Sequence, residues 1–169
     1  MRIILDNIRS TYNVGAIMRT LDAVGGSEIV CCGITPYPQI AGDKRSPVVQ
    51  NANTRAIAKT ALGAEEQLKI VYSETALDAV TAAREGGAVA VALEQSPAAV
   101  NVFDFECPLD AELALVLGSE IEGVDPEVMR ICDAIVEIPQ FGSKESLNVS
   151  VAAGIALYAL RRATTTRND

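Results

Sequence analysis

The feature that most constrains this chain is an alternation of short, continuously apolar runs with stretches whose apolar residues recur at helical spacing. Residues 2–6, 28–33, 68–73, 88–93, 113–118 and 134–138 are rich in Val, Ile, Leu and Ala. Several lack the in–out alternation of a half-wetted strand, so they suit strands covered on both faces. Strands separated by helical segments build a mostly parallel sheet flanked by helices, and the predicted class is α/β.

The intervening segments carry their own start and stop signals. Asn13 is predicted to cap a first helix whose stripe is Val14, Ile17, Leu21 and Val24, with Gly25-Gly26 as its stop. Residues 53–62 and 74–85 are read as the next two helices, ended by Gly63 and Gly86-Gly87. Asp125 and Pro126 open a short helix over 127–132. The last helix runs from Asn148 to about Arg162, and Val149, Val151, Ile155, Leu157 and Leu160 make it apolar nearly all round. Such a helix needs cover on more than one side, from a central place in a monomer or from a second subunit. The stretch 35–51, with three prolines and Lys44-Arg45, is read as the longest loop. Residues 1–163 form one predicted domain, with 164–169 as a polar tail.

Composition removes several chemistries. The chain has no histidine, and Cys31, Cys32, Cys107 and Cys132 form no CxxC pair. That excludes a Ser-His-Asp triad and argues against structural zinc or a disulfide framework, so no metal is expected and the thiols are read as buried and reduced. No apolar run approaches the roughly 20 residues of a bilayer span, and Asp6 interrupts the N-terminus too early for a signal peptide, so a cytoplasmic location is expected. A net charge of −8 runs against a nucleic-acid partner unless the cations are gathered in one place.

Three segments look too specific for packing alone. In 13–20, NVGAIMRT, Gly15 and Ala16 permit close backbone approach and Arg19 follows within the helix. In 117–124, LGSEIEGV, a strand enters a glycine-flanked turn, the way α/β folds present backbone groups to a ligand. Its glycine spacing fits neither a Walker A loop nor a dinucleotide fingerprint. In 138–148, IPQFGSKESLN, another strand enters a turn rich in hydrogen-bonding side chains, where Ser146 and Asn148 also suit plain helix caps. Two such loops after successive strands suggest one crevice at the carboxyl ends of the sheet.

Taken in order, these segments resemble the three motifs of the SpoU/TrmH-type RNA 2′-O-ribose methyltransferases of the SPOUT superfamily. The matching stretches are NVGAIMRT at 13–20, LVLGSEIEGVD at 115–125 with IVEIP at 135–139, and SLNVSVAAGIALY at 146–158; KTALGAEE at 59–66 and VALEQS at 91–96 are further signatures. The resemblance spans residues 2–162. It implies a C-terminal trefoil knot, a homodimer, and S-adenosylmethionine as methyl donor, with an active site that draws on both subunits. By position, it implies that Leu93, Gly118, Ile138, Ser146 and Leu147 contact the donor and that Arg19, Glu120, Ser146 and Asn148 are the polar active-site residues. It also implies RNA as the partner; the small domain, read as lacking an RNA-binding extension, is expected to suit tRNA better than rRNA. Asn13, Arg9, Lys44, Arg45 and Lys144 are the expected substrate-binding residues, forming with Arg19 and Arg55 a basic strip. The sequence departs from the usual Asn-Pro-Gly-Asn opening of the first motif, having Ser10-Thr11-Tyr12-Asn13 instead.

The family's proposed base is Arg19. Arginine holds its proton to above about pH 12, so this residue could instead orient a phosphate and stabilise a developing alkoxide. Two rival functions remain open at this level: a non-catalytic RNA- or ligand-binding module with the same knotted fold, and an unrelated α/β nucleotide-binding enzyme suggested by Gly142-Ser143-Lys144.

Overall fold

The computed structural model describes residues 1–165. Seven parallel strands form one sheet: β1 Arg2–Asp6, β2 Glu28–Cys32, β3 Lys69–Ser73, β4 Val89–Leu93, β5 Val100–Asn101, β6 Leu113–Leu117 and β7 Ala134–Glu137. Their order across the sheet is β3-β2-β1-β6-β4-β7-β5. Five helices flank it: α1 Thr11–Ala23, α2 Pro47–Ala61, α3 Ala76–Glu85, α4 Pro126–Ile131 and α5 Val149–Thr165.

The continuous apolarity of the strands is explained by cover on both faces. Ile3, Leu5, Ile29, Cys31, Leu113, Leu115 and Leu117 point into a core with Val14, Ile17, Met18 and Leu21 of α1, Ile57 of α2 and Ala153, Ala156, Leu157 and Leu160 of α5. The alternate residues Ile4, Val30, Cys32, Ala90, Ala92, Ala114 and Val116 point the other way, against Ala79, Val80 and Ala83 of α3 and Val128 of α4. Small residues predominate on this second face, which lets α3 lie close to the sheet. The five residues of β6, between β1 and β4, are all buried.

Four predicted boundaries move. Ser10, not Asn13, caps α1: its Oγ accepts from the Asn13 backbone N–H at 3.3 Å, so Asn13 lies inside the first turn with its side chain free to turn outward. The second helix starts at Pro47 rather than at residue 53, with Ser46 accepting from Val49 N–H and proline at the first helical position. The two-residue edge strand β5 is an addition, too short to leave a periodic signal. The last helix runs through Thr165, and Thr164 is buried, its carbonyl accepting from Asp110 N–H at 3.1 Å; the expected polar tail therefore begins later, and 166–169 lie outside the described residues. Among the described residues, no helix is long and apolar enough to cross a membrane.

One consequence of the strand order positions the site. After β6 the chain turns onto the α4 face, and after β7, on the far side of β4, it returns to the α5 face. The two loops part at the carboxyl ends of these strands, which opens a crevice beside β4.

Candidate active site

The loops after β4, β6 and β7, with the start of α5, enclose a cavity of about 620 Å³. All five expected donor-contacting residues, Leu93, Gly118, Ile138, Ser146 and Leu147, line it, as do Glu120 and Asn148. The volume lies within the range of small-molecule sites.

The β6–α4 loop folds back on itself. Ser119 N–H donates to Gly123 O at 3.1 Å, and Gly123 N–H donates to Ser119 O at 3.0 Å. Gly118 is required where it stands, because a Cβ there would overlap the Gly123 carbonyl and the Val124 nitrogen. Gly123 has φ 70°, the left-handed region that favours glycine. From β4, the Glu94 carboxylate accepts Val124 N–H at 2.8 Å and Gln95 N–H at 2.9 Å. The Gln95 amide in turn donates to Glu145 O at 2.7 Å on the loop after β7. Glu94 and Gln95 thus tie both loops to the end of β4. Sequence reasoning assigned neither residue a role, although both fall within the VALEQS stretch.

A polar chain joins three distant segments at one rim. Asn13 Nδ2 donates to Glu120 Oε1 at 2.8 Å, and Asn148 Nδ2 donates to Asn13 Oδ1 at 3.2 Å. Asn148 Oδ1 also accepts from Ser150 N–H at 2.9 Å, so this residue caps α5 while facing the site. Of the two expected caps, Asn148 takes that role and Ser146 stays free to face the cavity.

The electrostatics of the cavity are one-sided. Glu94, Glu120, Glu122, Glu137 and Glu145 border it, and among the described residues no lysine or arginine does. A ligand with positive charge is favoured there. The sulfonium and amino groups of S-adenosylmethionine match that demand, so the residues present fit the donor.

Within one chain, the expected basic residues fall on separate parts of the surface. Arg9, Lys44 and Arg45 border a separate cleft beyond the β1–α1 loop. The Arg45 guanidinium is committed within its own loop: it pairs with Asp43 at 2.6 Å, donates to Tyr37 O at 2.9 Å and lies over the Tyr37 ring. These contacts brace the loop that carries Arg45, and its hydrogen bonds hold the Asp43 carboxyl below the usual range. Arg19 is exposed on α1 and sits in a shallow groove with Lys59 and Tyr158, apart from the cavity. Lys144 is exposed on the loop after β7 and Arg55 on α2. Gly15 permits the expected close backbone approach, and α2 is what approaches: a Cβ there would overlap Thr60 Oγ1 and Ile57 O.

A family model for the SpoU rRNA Methylase family matches residues 1–158. The chain belongs to that family. This SpoU chain is 34% identical over 154 residues to the 23S rRNA (guanosine-2'-O-)-methyltransferase RlmB of a Burkholderia species, covering 91% of this chain and 56% of the relative. It is 33% identical over 161 residues to the putative TrmH family tRNA/rRNA methyltransferase YacO of Bacillus subtilis strain 168, covering 95% of this chain and 57% of the relative. The chain thus spans a little over half the length of these curated relatives. Among solved structures, the AdoMet-bound rRNA methyltransferase of Sinorhizobium meliloti superposes with TM-score 0.77 at 27% identity, over 98% of this chain and 57% of that one. The relatives' names specify 23S rRNA or leave tRNA and rRNA open, so the expected preference for tRNA is not supported.

Proposed function

We propose that this SpoU-family chain transfers a methyl group from S-adenosylmethionine to a ribose 2′-hydroxyl of RNA. The observation that carries the reading is the acidic, glycine-cradled cavity at the ends of β4, β6 and β7, bordered by the Asn13–Glu120–Asn148 chain. Leu93, Gly118, Ile138, Ser146 and Leu147 would hold the donor, which supplies an electrophilic methyl on a sulfonium that departs as a neutral thioether.

Because no acid is needed for that departure, the protein's task is alignment of the hydroxyl and management of its proton. Asn13 and Asn148 fix the Glu120 carboxylate at the cavity rim, where its Oε2 is free of hydrogen bonds among the described residues and can accept one from the ribose. Arg19 stabilises negative charge as the hydroxyl loses its proton and holds the neighbouring phosphate.

Arg19 lies away from the cavity of its own chain, which supports a homodimer in which it completes the partner's site. The exposed Val151 and Tyr158, two helical turns apart on α5, and the exposed Tyr12 supply an uncovered apolar face for that contact. The reading includes the family's C-terminal knot; β7 pairing between β4 and β5, followed by return of α5 onto α1, is compatible with it. It also includes RNA substrate in the cytoplasm, with Arg9, Asn13, Lys44 and Lys144 as substrate contacts. The test is a comparison of 2′-O-methyl sites in total RNA from cells with and without the gene. A site lost on deletion, and restored by the native chain but not by Arg19→Ala, is expected; identical maps would refute the activity.

A further inference from the structure

Beyond the donor cavity, the cleft at the carboxyl ends of β1, β2 and β3 has an organisation of its own. Its volume is about 1020 Å³, and Arg9, Tyr37, Lys44, Tyr72 and Glu74 lie along it. The Tyr37 and Tyr72 rings stack with centroids 5.1 Å apart at 26°. The Arg45 guanidinium lies 3.4 Å from the Tyr37 centroid, so Tyr37 is held between a cation and a second ring. Tyr37 is only 6% exposed, whereas Tyr72, the outer member of the stack, is 40% exposed. The stack therefore ends in an open aromatic face.

Charge points to the same ligand. Arg9 and Lys44 are exposed and make no ion pair among the described residues, while Arg45 and Asp43 neutralise each other. Two free cations against Glu74 leave the cleft net positive in a chain of net charge −8. Thr35 fixes the geometry: its buried hydroxyl accepts Ile8 N–H at 3.0 Å and donates to Leu5 O at 3.1 Å, which sets the backbone that presents Arg9. The loop leads into α1, whose Asn13 donates to Glu120 at the rim of the donor cavity, so one stretch of chain touches both sites.

We propose that this cleft seats a nucleotide of the RNA strand flanking the methylated ribose, its base stacked on Tyr72 and its phosphates on Arg9 and Lys44. This rests on the RNA methyltransferase reading and adds to it a contact that selects an unpaired, stackable nucleotide beside the methylated ribose. Stacking on an aromatic platform beside a basic rail is the general chemistry of single-strand recognition.

The probes are a fluorescein-labelled hexauridylate RNA and an abasic hexamer of the same backbone, with S-adenosylmethionine affinity measured separately by calorimetry. The double variant Arg9→Ala/Lys44→Ala is expected to lower the log–log salt slope of hexauridylate binding by about 1.4. Tyr72→Leu is expected to weaken hexauridylate by at least about fivefold while leaving the abasic hexamer unchanged, and Tyr72→Phe to bind as the native chain does. An unchanged slope, equal weakening of both oligomers by Tyr72→Leu, or no binding of hexauridylate by the native chain would overturn the proposal. Failure of the native chain to bind S-adenosylmethionine would instead strike the underlying activity, so the two failures are distinguishable. Circular dichroism of each variant confirms that Tyr37 has not lost its support.

Discussion

Gly118→Ala puts the strongest single demand on the cavity. The added methyl meets the Gly123 carbonyl and the Val124 nitrogen, which are backbone atoms and cannot rotate away. They are held by the reciprocal Ser119–Gly123 pair, at 3.1 and 3.0 Å, and by Glu94 at 2.8 Å. Overpacking costs about 1–3 kcal/mol, and each net hydrogen bond given up adds about 1 kcal/mol. With one such bond broken, the expected loss of stability is about 2–4 kcal/mol. If the cavity wall retreats to relieve the clash, donor affinity falls by the fraction of molecules still in the competent form; a bias of about 1.4 kcal/mol against that form is already tenfold. Urea unfolding gives the first quantity and calorimetric titration with S-adenosylmethionine the second. Gly142→Ala is the matched control, since a Cβ at Gly142 meets nothing within 4 Å. A Gly118→Ala chain within about 0.5 kcal/mol of native stability, with native donor affinity, would refute the assigned cradle.

Further predictions concern charge, thiols and subunit sharing. Arg19→Ala should leave stability within about 0.5 kcal/mol, because the residue is exposed, while lowering turnover by roughly 10²- to 10³-fold. Mixing Arg19→Ala with Asn148→Ala chains should restore about a quarter of native activity if Arg19 acts across a dimer, since half of random dimers carry one intact site; no recovery would place Arg19 in its own chain's site. Burial raises the Asp6 carboxyl above its ordinary 3.8, against the lowering effect of Asp125 N–H. The folded state then binds the proton more tightly than the unfolded one, so stability falls as pH climbs from about 3.8 through the raised value. Urea titrations should show Asp6→Asn gaining on the native chain across that window, and a constant difference would contradict it. Burial also pushes the Cys32 thiol up to about 12 and Cys132 to about 11, and Cys31 higher still. Alkylation at pH 8 should therefore spare these three until denaturant is added, which peptide mass mapping reads directly.

The strands were legible because burial on both faces leaves a plain mark, a run of branched apolar residues. Their order was not, since β1 pairing with β6 follows from the crossover path rather than from any periodicity. The start of α2 was hidden by a local conflict. The prolines at 36 and 38 and the basic pair at 44–45 suggest loop, yet Ser46-Pro47 is a capping pair at the head of a helix. That these residues meet at one cavity was legible only through three segments taken together, because Glu120 and Asn148 lie 107 and 135 positions from Asn13. Arg45 shows the opposite failure: its charge is visible in the sequence, but its commitment to Asp43 and Tyr37 depends on a loop geometry that no local pattern encodes.

The bond between Asn148 and Asn13 sets a schedule for synthesis as well as a geometry. It spans 135 residues, and at about 5–20 residues per second the ribosome needs roughly 7–27 s to make the second asparagine after the first. Until Leu117 has been made, β2 and β3 can pair beside β1 while β6 is not yet available to its other edge. A nascent chain thus carries an unfinished sheet edge, and the rim closes only once Asn148 has been made.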